Sequence, residues 1–208
     1  MEGVSTWDKM LYNSSRNGDK EGVITALAQG GRVTVRGPRG ITPLLIAVCH
    51  GHTDICGLLL AHGSNVNDRE TRGGTPLLAA ANKGHTDICG LLLAHGSNVN
   101  EVMPNTKHTA LHYAAGHGDN GLLEALLSWG AEINPQSYGG ATPLHTACQG
   151  GNLLCVLTLL KAGASLTVPN KQDSLPIHIA AQTNNIEIVR TFLEHGCSPD
   201  MVSWYHTG

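Results

Sequence analysis

The chain has 208 residues, of which 41% are hydrophobic and 14% are charged, and its formal net charge is −3. This balance argues against nucleic-acid binding, which calls for a strongly basic face. No apolar run approaches the roughly 20 residues of a membrane helix, and the N-terminus lacks the apolar segment of a signal peptide. The six cysteines form no CxxC pair, which predicts reduced thiols in the cytosol or nucleus.

A six-residue motif recurs at nearly constant spacing along the chain. It reads TPLLIA, TPLLAA, TALHYA, TPLHTA and LPIHIA, and it begins at Thr42, Thr75, Thr109, Thr142 and Leu175. The steps are 33, 34, 33 and 33 residues, and the longer step predicts one extra residue within "EVMPNTKH". A degraded copy surrounds Gly18. Repeats of this length indicate a solenoid built from stacked units.

Each unit has the signals of two short helices. In the first full copy, Thr42 can cap an exposed backbone N–H and Pro43 suits the first helical position. The helix is expected to end near His50, before a glycine. A second helix opens at Thr53 and ends at Gly63, which can supply the left-handed C-terminal residue. A turn-rich loop then leads to the next motif.

These units resemble the ankyrin repeat, on "TPLHTA…GG…VLTLLKAGAS" and its equivalents over about residues 8–200. The resemblance implies an all-α solenoid of helix-turn-helix units with projecting hairpin-like finger loops. It divides the chain into an N-terminal capping repeat (1–34), five repeats (35–67, 68–101, 102–134, 135–167 and 168–200) and residues 201–208.

Several positions depart from the family pattern. The first unit has Lys9 in place of the capping threonine and lacks the proline. Leu45 and Leu78 stand where the family often has histidine, which His112, His145 and His178 retain. The last motif begins with a leucine instead of threonine, which predicts a cap weaker by about 1 kcal/mol.

The last residues match the beginning of a further unit, because counting 33 from Leu175 reaches Gly208. Residues 201–208 are therefore expected to begin a further repeat of a longer array, and a frayed tail is the alternative. Trp204 and Tyr205 are interpreted either as a packing surface for that repeat or as exposed binding residues.

Seventeen residues occur twice without change, at 51–67 and 84–100. The 33-residue stretches 35–67 and 68–100 differ at eight positions, all before residue 51. The resemblance implies that partners dock on fingers and first helices, which is the half that varies. The predicted partner-binding residues are Arg36, Arg39, Ile41, Cys49, His50, Arg72, Lys83, His108, Tyr113, Tyr138 and Gln149.

Basic residues gather in the N-terminal half. Arg32, Arg36 and Arg39 have no acid between Glu21 and Asp54. They are interpreted either as an ordinary solvated surface or as a positive finger edge that steers a partner with an acidic segment.

No catalytic or metal motif stands out. Most of the twelve histidines repeat at shared repeat positions, so they point the same way instead of converging, and no zinc-ligand spacing occurs. The resemblance makes Asn134 a candidate for asparaginyl hydroxylation, and a turn hydrogen bond is the alternative. The chain is therefore predicted to be a monomeric, non-enzymatic module that binds a protein or peptide and needs no cofactor. The alternative is the substrate-recognition part of a larger assembly such as a ubiquitin ligase.

Overall fold

The computed structural model describes residues 5–198, which contain twelve α-helices and no β-strand. The predicted all-α fold is therefore confirmed. In chain order the helices are α1 (Thr6–Asn17), α2 (Lys20–Ala28), α3 (Pro43–His50), α4 (Thr53–Ala61), α5 (Pro76–Lys83), α6 (Thr86–Ala94), α7 (Ala110–His117), α8 (Asn120–Ser128), α9 (Pro143–Gln149), α10 (Leu153–Lys161), α11 (Pro176–Gln182) and α12 (Ile186–Glu194). Trp204, Tyr205 and the expected start of a further repeat at 201–208 lie outside the described residues.

The chain divides into two compact units, Met1–Pro104 and Asn105–Gly208. The first unit carries α1 to α6 and the second carries α7 to α12. Their boundary falls in the finger that contains the extra residue. The helices of each pair pack on each other, and the first helices of neighbouring repeats pack together within each unit.

The Thr-Pro signals begin helices as expected. In the first unit the Thr42 hydroxyl accepts a hydrogen bond from the backbone N–H of Leu45 at 3.3 Å, and Thr75 caps α5 in the same way. Gly51 follows α3 with φ of 77°, a left-handed conformation that costs glycine little. At the equivalent position after α11, Asn184 takes this conformation with φ of 58°.

The core of each unit is built from repeated small and branched aliphatic residues. Five first helices share one buried position occupied by leucine or isoleucine and one occupied by alanine, and these residues are at most 1% exposed. They are Leu44 with Ala47, Leu77 with Ala80, Leu111 with Ala114, Leu144 with Ala147, and Ile177 with Ala180. Because these positions recur with the repeat, neighbouring helices bury the same faces against one another, as an array of this kind requires.

The first repeat begins earlier than its register predicts. The N-cap of α1 is Ser5, four residues before Lys9, and Ser5 and Asp8 form a reciprocal capping box. Asp8 is fully buried and forms an ion pair with Arg32 at 2.6 Å. Hydrogen bonds from Arg32 hold the pKa of Asp8 well below its ordinary value, so this end of the first unit is fastened by a charged pair.

Backbone hydrogen bonds close four of the five fingers in the same way. Each bond runs from an N–H to the carbonyl oxygen four residues later, at 2.9 to 3.1 Å. The pairs are Gly37 with Ile41, Glu70 with Gly74, Ser137 with Ala141, and Asn170 with Ser174. The finger before α7 has Pro104 at the donor position, and proline has no N–H to donate. The extra residue lies just before it, between Asn100 and Pro104.

Histidines fasten the fingers of the second unit. The N–H of Thr109 donates to Nδ1 of His112 at 3.2 Å, and Nε2 of His112 donates to the carbonyl oxygen of Ala141 at 3.0 Å. His145 repeats this arrangement with Thr142 and Ser174. Each ring thus joins the start of one helix to the next finger. Leu175 lacks the hydroxyl cap, and its N–H still donates to Nδ1 of His178 at 3.1 Å.

We expect Gly57→Ala and Gly90→Ala to stabilise the protein by about 1 kcal/mol each, because glycine disfavours a helix interior. A Cβ atom at either position would meet no atom within 4 Å. Chemical denaturation measures the change. Gly22→Ala is the matched contrast in α2, because its Cβ would lie 2.3 Å from the Ser14 hydroxyl oxygen and should destabilise the protein. A lower stability of Gly57→Ala would contradict this prediction.

We also expect the second unit to lose stability in mild acid. Burial lowers the pKa of His112 to about 4 and also lowers the pKa values of His145 and His178. Unfolded histidine binds a proton near pH 6.5, so the stability is fully present above that pH and falls as the pH drops towards 4. His112 alone accounts for up to about 3 kcal/mol. The first unit has Leu45 and Leu78 at this position.

Hydrogen exchange of the full chain at pH 7.5 and 5.0, corrected for intrinsic exchange rates, tests this difference. The amides of α7 and α9 should lose more protection than those of α3 and α5. A variant carrying His112→Leu and His145→Leu should show a smaller change with pH. Equal losses in both units would contradict the prediction.

Candidate functional site

The first unit brings three predicted binding residues into electrostatic contact at the end of α3. Cys49 is half-buried, and burial raises the pKa of its thiol, while the positive charges of Lys83 and Arg39 act in the opposite direction. Glu70 also acts on this thiol. The region therefore combines a neutral thiol, which is a weak nucleophile, with two cations.

Arg36 holds two fingers together. Its guanidinium donates to the carbonyl oxygens of Gly40 at 2.9 Å and Arg69 at 3.0 Å, and to a carboxylate oxygen of Asp68 at 2.8 Å. Arg69 repeats the arrangement in the next repeat, with Gly73 and Glu101 as its partners. In the second unit Gln136 spans two fingers similarly. The predicted binding residue Arg36 thus makes structural contacts.

The expected arginine edge is also partly neutralised. Arg32 pairs with Asp8 and Arg36 with Asp68, which lie 24 and 32 residues away in sequence. Sequence inspection missed these partners because it compared only neighbouring residues. Among the described residues, Arg39, Arg72 and Lys83 form no ion pair, so these three carry the positive charge that remains available on the predicted surface.

Arg39 lies at the tip of its finger, within a 3-10 turn at Pro38–Gly40, and its φ is 59°. Its carbonyl oxygen accepts a hydrogen bond from the N–H of Thr71 at 2.8 Å, which joins adjacent finger tips. The backbone is thereby fixed while the side chain is exposed. Ile41 is half-buried just before α3. Nδ1 of exposed His50 donates to the carbonyl oxygen of Ile46 at 2.9 Å, and the side chain of Ile46 is buried.

The second unit groups His108 and Tyr113 beside the finger before α7. Their rings meet edge to face with centroids 5.5 Å apart, and His108 stacks on His112 at 5.0 Å. Burial lowers the pKa of His108 and raises the pKa of Tyr113, and a hydrogen bond with Thr106 opposes the rise. At neutral pH this cluster is uncharged and largely aromatic.

Tyr138 is 49% exposed at the next finger tip. The Nζ atom of Lys107 lies 5.2 Å from the centre of its ring, a cation–π contact. Gln149 is exposed at the end of α9, and within residues 105–198 it makes no hydrogen bond or ring contact with His108, Tyr113 or Tyr138. Sequence reasoning missed Lys107, which lies in the finger before α7, after the extra residue.

Asn134 contributes to loop structure. Its Oδ1 accepts a hydrogen bond from the N–H of Ser165 at 2.9 Å, and Asn67 accepts one from Asn98 at 3.1 Å in the first unit. Both asparagines connect the loops of adjacent repeats. The hydrogen-bonding alternative therefore has a partner in the structure, and hydroxylation of Asn134 stays a prediction.

The described cysteines are all free thiols. Cys56, Cys89, Cys148 and Cys155 are fully buried. Burial raises the pKa of Cys148 above its ordinary value. Within residues 5–198, no group of three or more His, Cys, Asp or Glu side chains is arranged to hold a metal ion.

Within each unit, short helix pairs stack and adjacent finger tips are joined, which is the architecture of a repeat scaffold. No described helix is both long and apolar enough to cross a membrane. A family model for ankyrin repeats in three copies matches residues 10–103, 63–137 and 130–203. The chain therefore belongs to the ankyrin-repeat family, whose repeats are generally non-enzymatic modules of protein–protein interaction.

Known structures agree with this assignment. The crystal structure of the human ASB11 ankyrin repeat domain matches with a TM-score of 0.81 and 28% sequence identity. The match covers 90% of this chain and 84% of that domain. No curated protein matches the sequence.

Arg36 and Arg39 should respond differently to substitution. Arg36→Ala should lower stability by about 1 kcal/mol because it removes hydrogen bonds that join two fingers. Arg39→Gly should leave stability unchanged or raise it by about 1 kcal/mol, because glycine relieves the left-handed backbone. Urea unfolding monitored by circular dichroism measures both. Equal losses of stability would contradict the proposed difference between the two arginines.

Proposed function

We propose that this chain binds a partner protein or peptide through its finger tips and the exposed ends of its first helices. In the first unit the surface consists of Arg39, Ile41, Cys49, His50, Arg72 and Lys83, and Arg36 is left out because it joins two fingers. In the second unit it consists of His108, Tyr113, Tyr138 and Gln149. The alternative role within a ubiquitin ligase stays a prediction.

The strongest support for this surface is the contrast between finger groups that already have bonding partners and charged side chains that remain available to a ligand. The finger backbones bond to themselves and to their neighbours, and Arg32, Arg36 and Arg69 are engaged in ion pairs. Arg39 and Arg72 remain exposed and pair with no acid within residues 5–198. Binding through such fixed positions costs little ordering of the backbone, which favours affinity.

The repeated half of the sequence supports the same choice. Helices α4 and α6 have identical sequences, and in both the isoleucine, the cysteine and two leucines are buried. The differences between the two repeats include residues 49 and 50 at the exposed end of α3, where Cys49 and His50 correspond to Asn82 and Lys83. The positions that differ between the two repeats therefore include exposed residues at the end of the first helix.

The positive residues favour a partner with an acidic segment. Complementary charge speeds association and fixes orientation more than it adds affinity. We therefore expect the double variant Arg39→Glu and Arg72→Glu to lose native partners through slower association. Lys161→Glu is the matched charge control, because Lys161 lies on the second helix α10.

Affinity capture from the native cell type, quantified by mass spectrometry for the three proteins side by side, tests this proposal. At least one partner should be retained by the wild type and by Lys161→Glu but reduced fivefold or more by the double variant. Purified partner and protein should then reproduce the difference in association rate. If every captured protein binds the double variant and the wild type equally, the proposed surface in the first unit is wrong.

A further inference from the structure

The second unit has a polar groove at its finger tips that the predicted binding residues only partly include. Its volume is about 270 Å³, and its walls include Lys107, Tyr138, Asn170 and Lys171. We call it the lysine groove. It lies below the usual range of small-molecule sites, about 300–1,000 Å³, and its size suits a few side chains of a peptide.

The groove concentrates the positive charge of an acidic unit. Residues 105–208 contain four Lys or Arg and seven Asp or Glu, and two of the four cations line this groove. None of the lining residues is acidic. Within residues 105–198 neither lysine forms an ion pair with a carboxylate. Asp173 is close in sequence to Lys171 but does not line the groove.

Hydrogen bonds within the groove walls occupy acceptor oxygens and leave donor groups available. Oδ1 of Asn170 accepts hydrogen bonds from the N–H groups of Gln172 and Ser174, both at 2.9 Å. The carbonyl oxygens of Gly140 and Pro169 accept from the Gln136 amide. The two ammonium groups and the Asn170 amide N–H₂ can therefore donate to a bound ligand, which favours an anion.

The lysines stand on a fixed backbone. The N–H of Tyr138 donates to the carbonyl oxygen of Thr106 at 2.8 Å, and the N–H of Lys171 donates to that of Gly139 at 2.9 Å. Three consecutive finger tips are thereby joined. The ammonium group of Lys107 makes a cation–π contact with the ring of Tyr138. The charge of Lys107, held in this way, loses less freedom on binding than that of a free surface lysine.

The backbone of Lys107 is itself unusual. Its φ is 56°, at the finger position that Gly40, Gly73 and Gly140 occupy with φ between 71° and 83°. A lysine there accepts strain that glycine would avoid. Asp173 does the same in the finger before α11, so strain alone does not single out Lys107, but Lys107→Gly separates the effect of the charge from the effect on folding.

We propose that the lysine groove binds an acidic stretch of a partner polypeptide, with Asp or Glu carboxylates held by Lys107 and Lys171 and an adjacent side chain against Tyr138. This rests on the proposed function and gives the chemistry of the partner at the second unit. Carboxylate is favoured over a phosphate group because two separate ammonium groups with an amide suit spaced single charges, whereas arginine forks suit phosphate.

Peptide display against the immobilised full chain, followed by fluorescence anisotropy of the best synthetic peptide, tests the proposal. Enriched peptides should contain two or more Asp or Glu beside an apolar or aromatic residue. The double variant Lys107→Glu and Lys171→Glu should bind at least tenfold more weakly, and Lys161→Glu should bind like the wild type. Lys107→Gly should unfold at higher denaturant concentration yet bind at least threefold more weakly, which separates binding from folding.

Four results would overturn the proposal. The first is that no acidic peptide is enriched, and the second is that the Lys107→Glu and Lys171→Glu double variant binds the peptide as tightly as the wild type. The third is that a peptide with Glu replaced by Gln binds the wild type as tightly as the original peptide. The fourth is tenfold tighter binding when Glu is replaced by phosphoserine. Acidic peptides that lose affinity for Arg39→Glu with Arg72→Glu but not for the lysine variants would refute the lysine groove alone. The proposed function would survive that result.

Discussion

A helix of seven to nine residues is not stable in water by itself, and eleven of the twelve helices within residues 5–198 have that length. Each must therefore be held by the apolar face it shares with its neighbours. The buried leucine or isoleucine and the buried alanine of five first helices meet this requirement, and α1 buries Leu11 and Ser14. Because one face satisfies the requirement in every repeat, the same residue types return about every 33 positions, and the rest of the sequence can vary.

The fingers satisfy a second requirement, which is that their backbone groups find partners. Four close by the same backbone bond, and neighbouring tips are joined at Arg39 with Thr71 and at Thr106 with Tyr138. Side chains such as Arg36 and Gln136 add bonds between fingers. These contacts use polar residues that otherwise resemble binding residues, so exposure and charge alone do not define the interaction surface.

The two units solve the helix–finger connection differently. The first has buried Leu45 and Leu78, and the second has His112 and His145, which donate to the following finger. Leucine contributes only apolar contact, whereas a buried neutral histidine also contributes hydrogen bonds, of which protonation removes the one that Nδ1 accepts. The same fold therefore carries different sensitivity to acid in its two halves, although their helices follow one pattern.

The sequence by itself determined the family, the helix pairs, the Thr-Pro caps and the glycine ends, because these depend on residues within one repeat. The extra residue of the finger before α7 was also visible from spacing. Only the tertiary structure decided that Ser5 begins α1, that Cys148 is buried, and that Arg32 and Arg36 are paired with acids 24 and 32 residues away. It also brought Lys107 and Lys171 into one groove. Arg36 with Asp68, and Lys107 with Lys171, lie in different repeats, so their proximity follows from stacking geometry and not from the order of neighbouring residues.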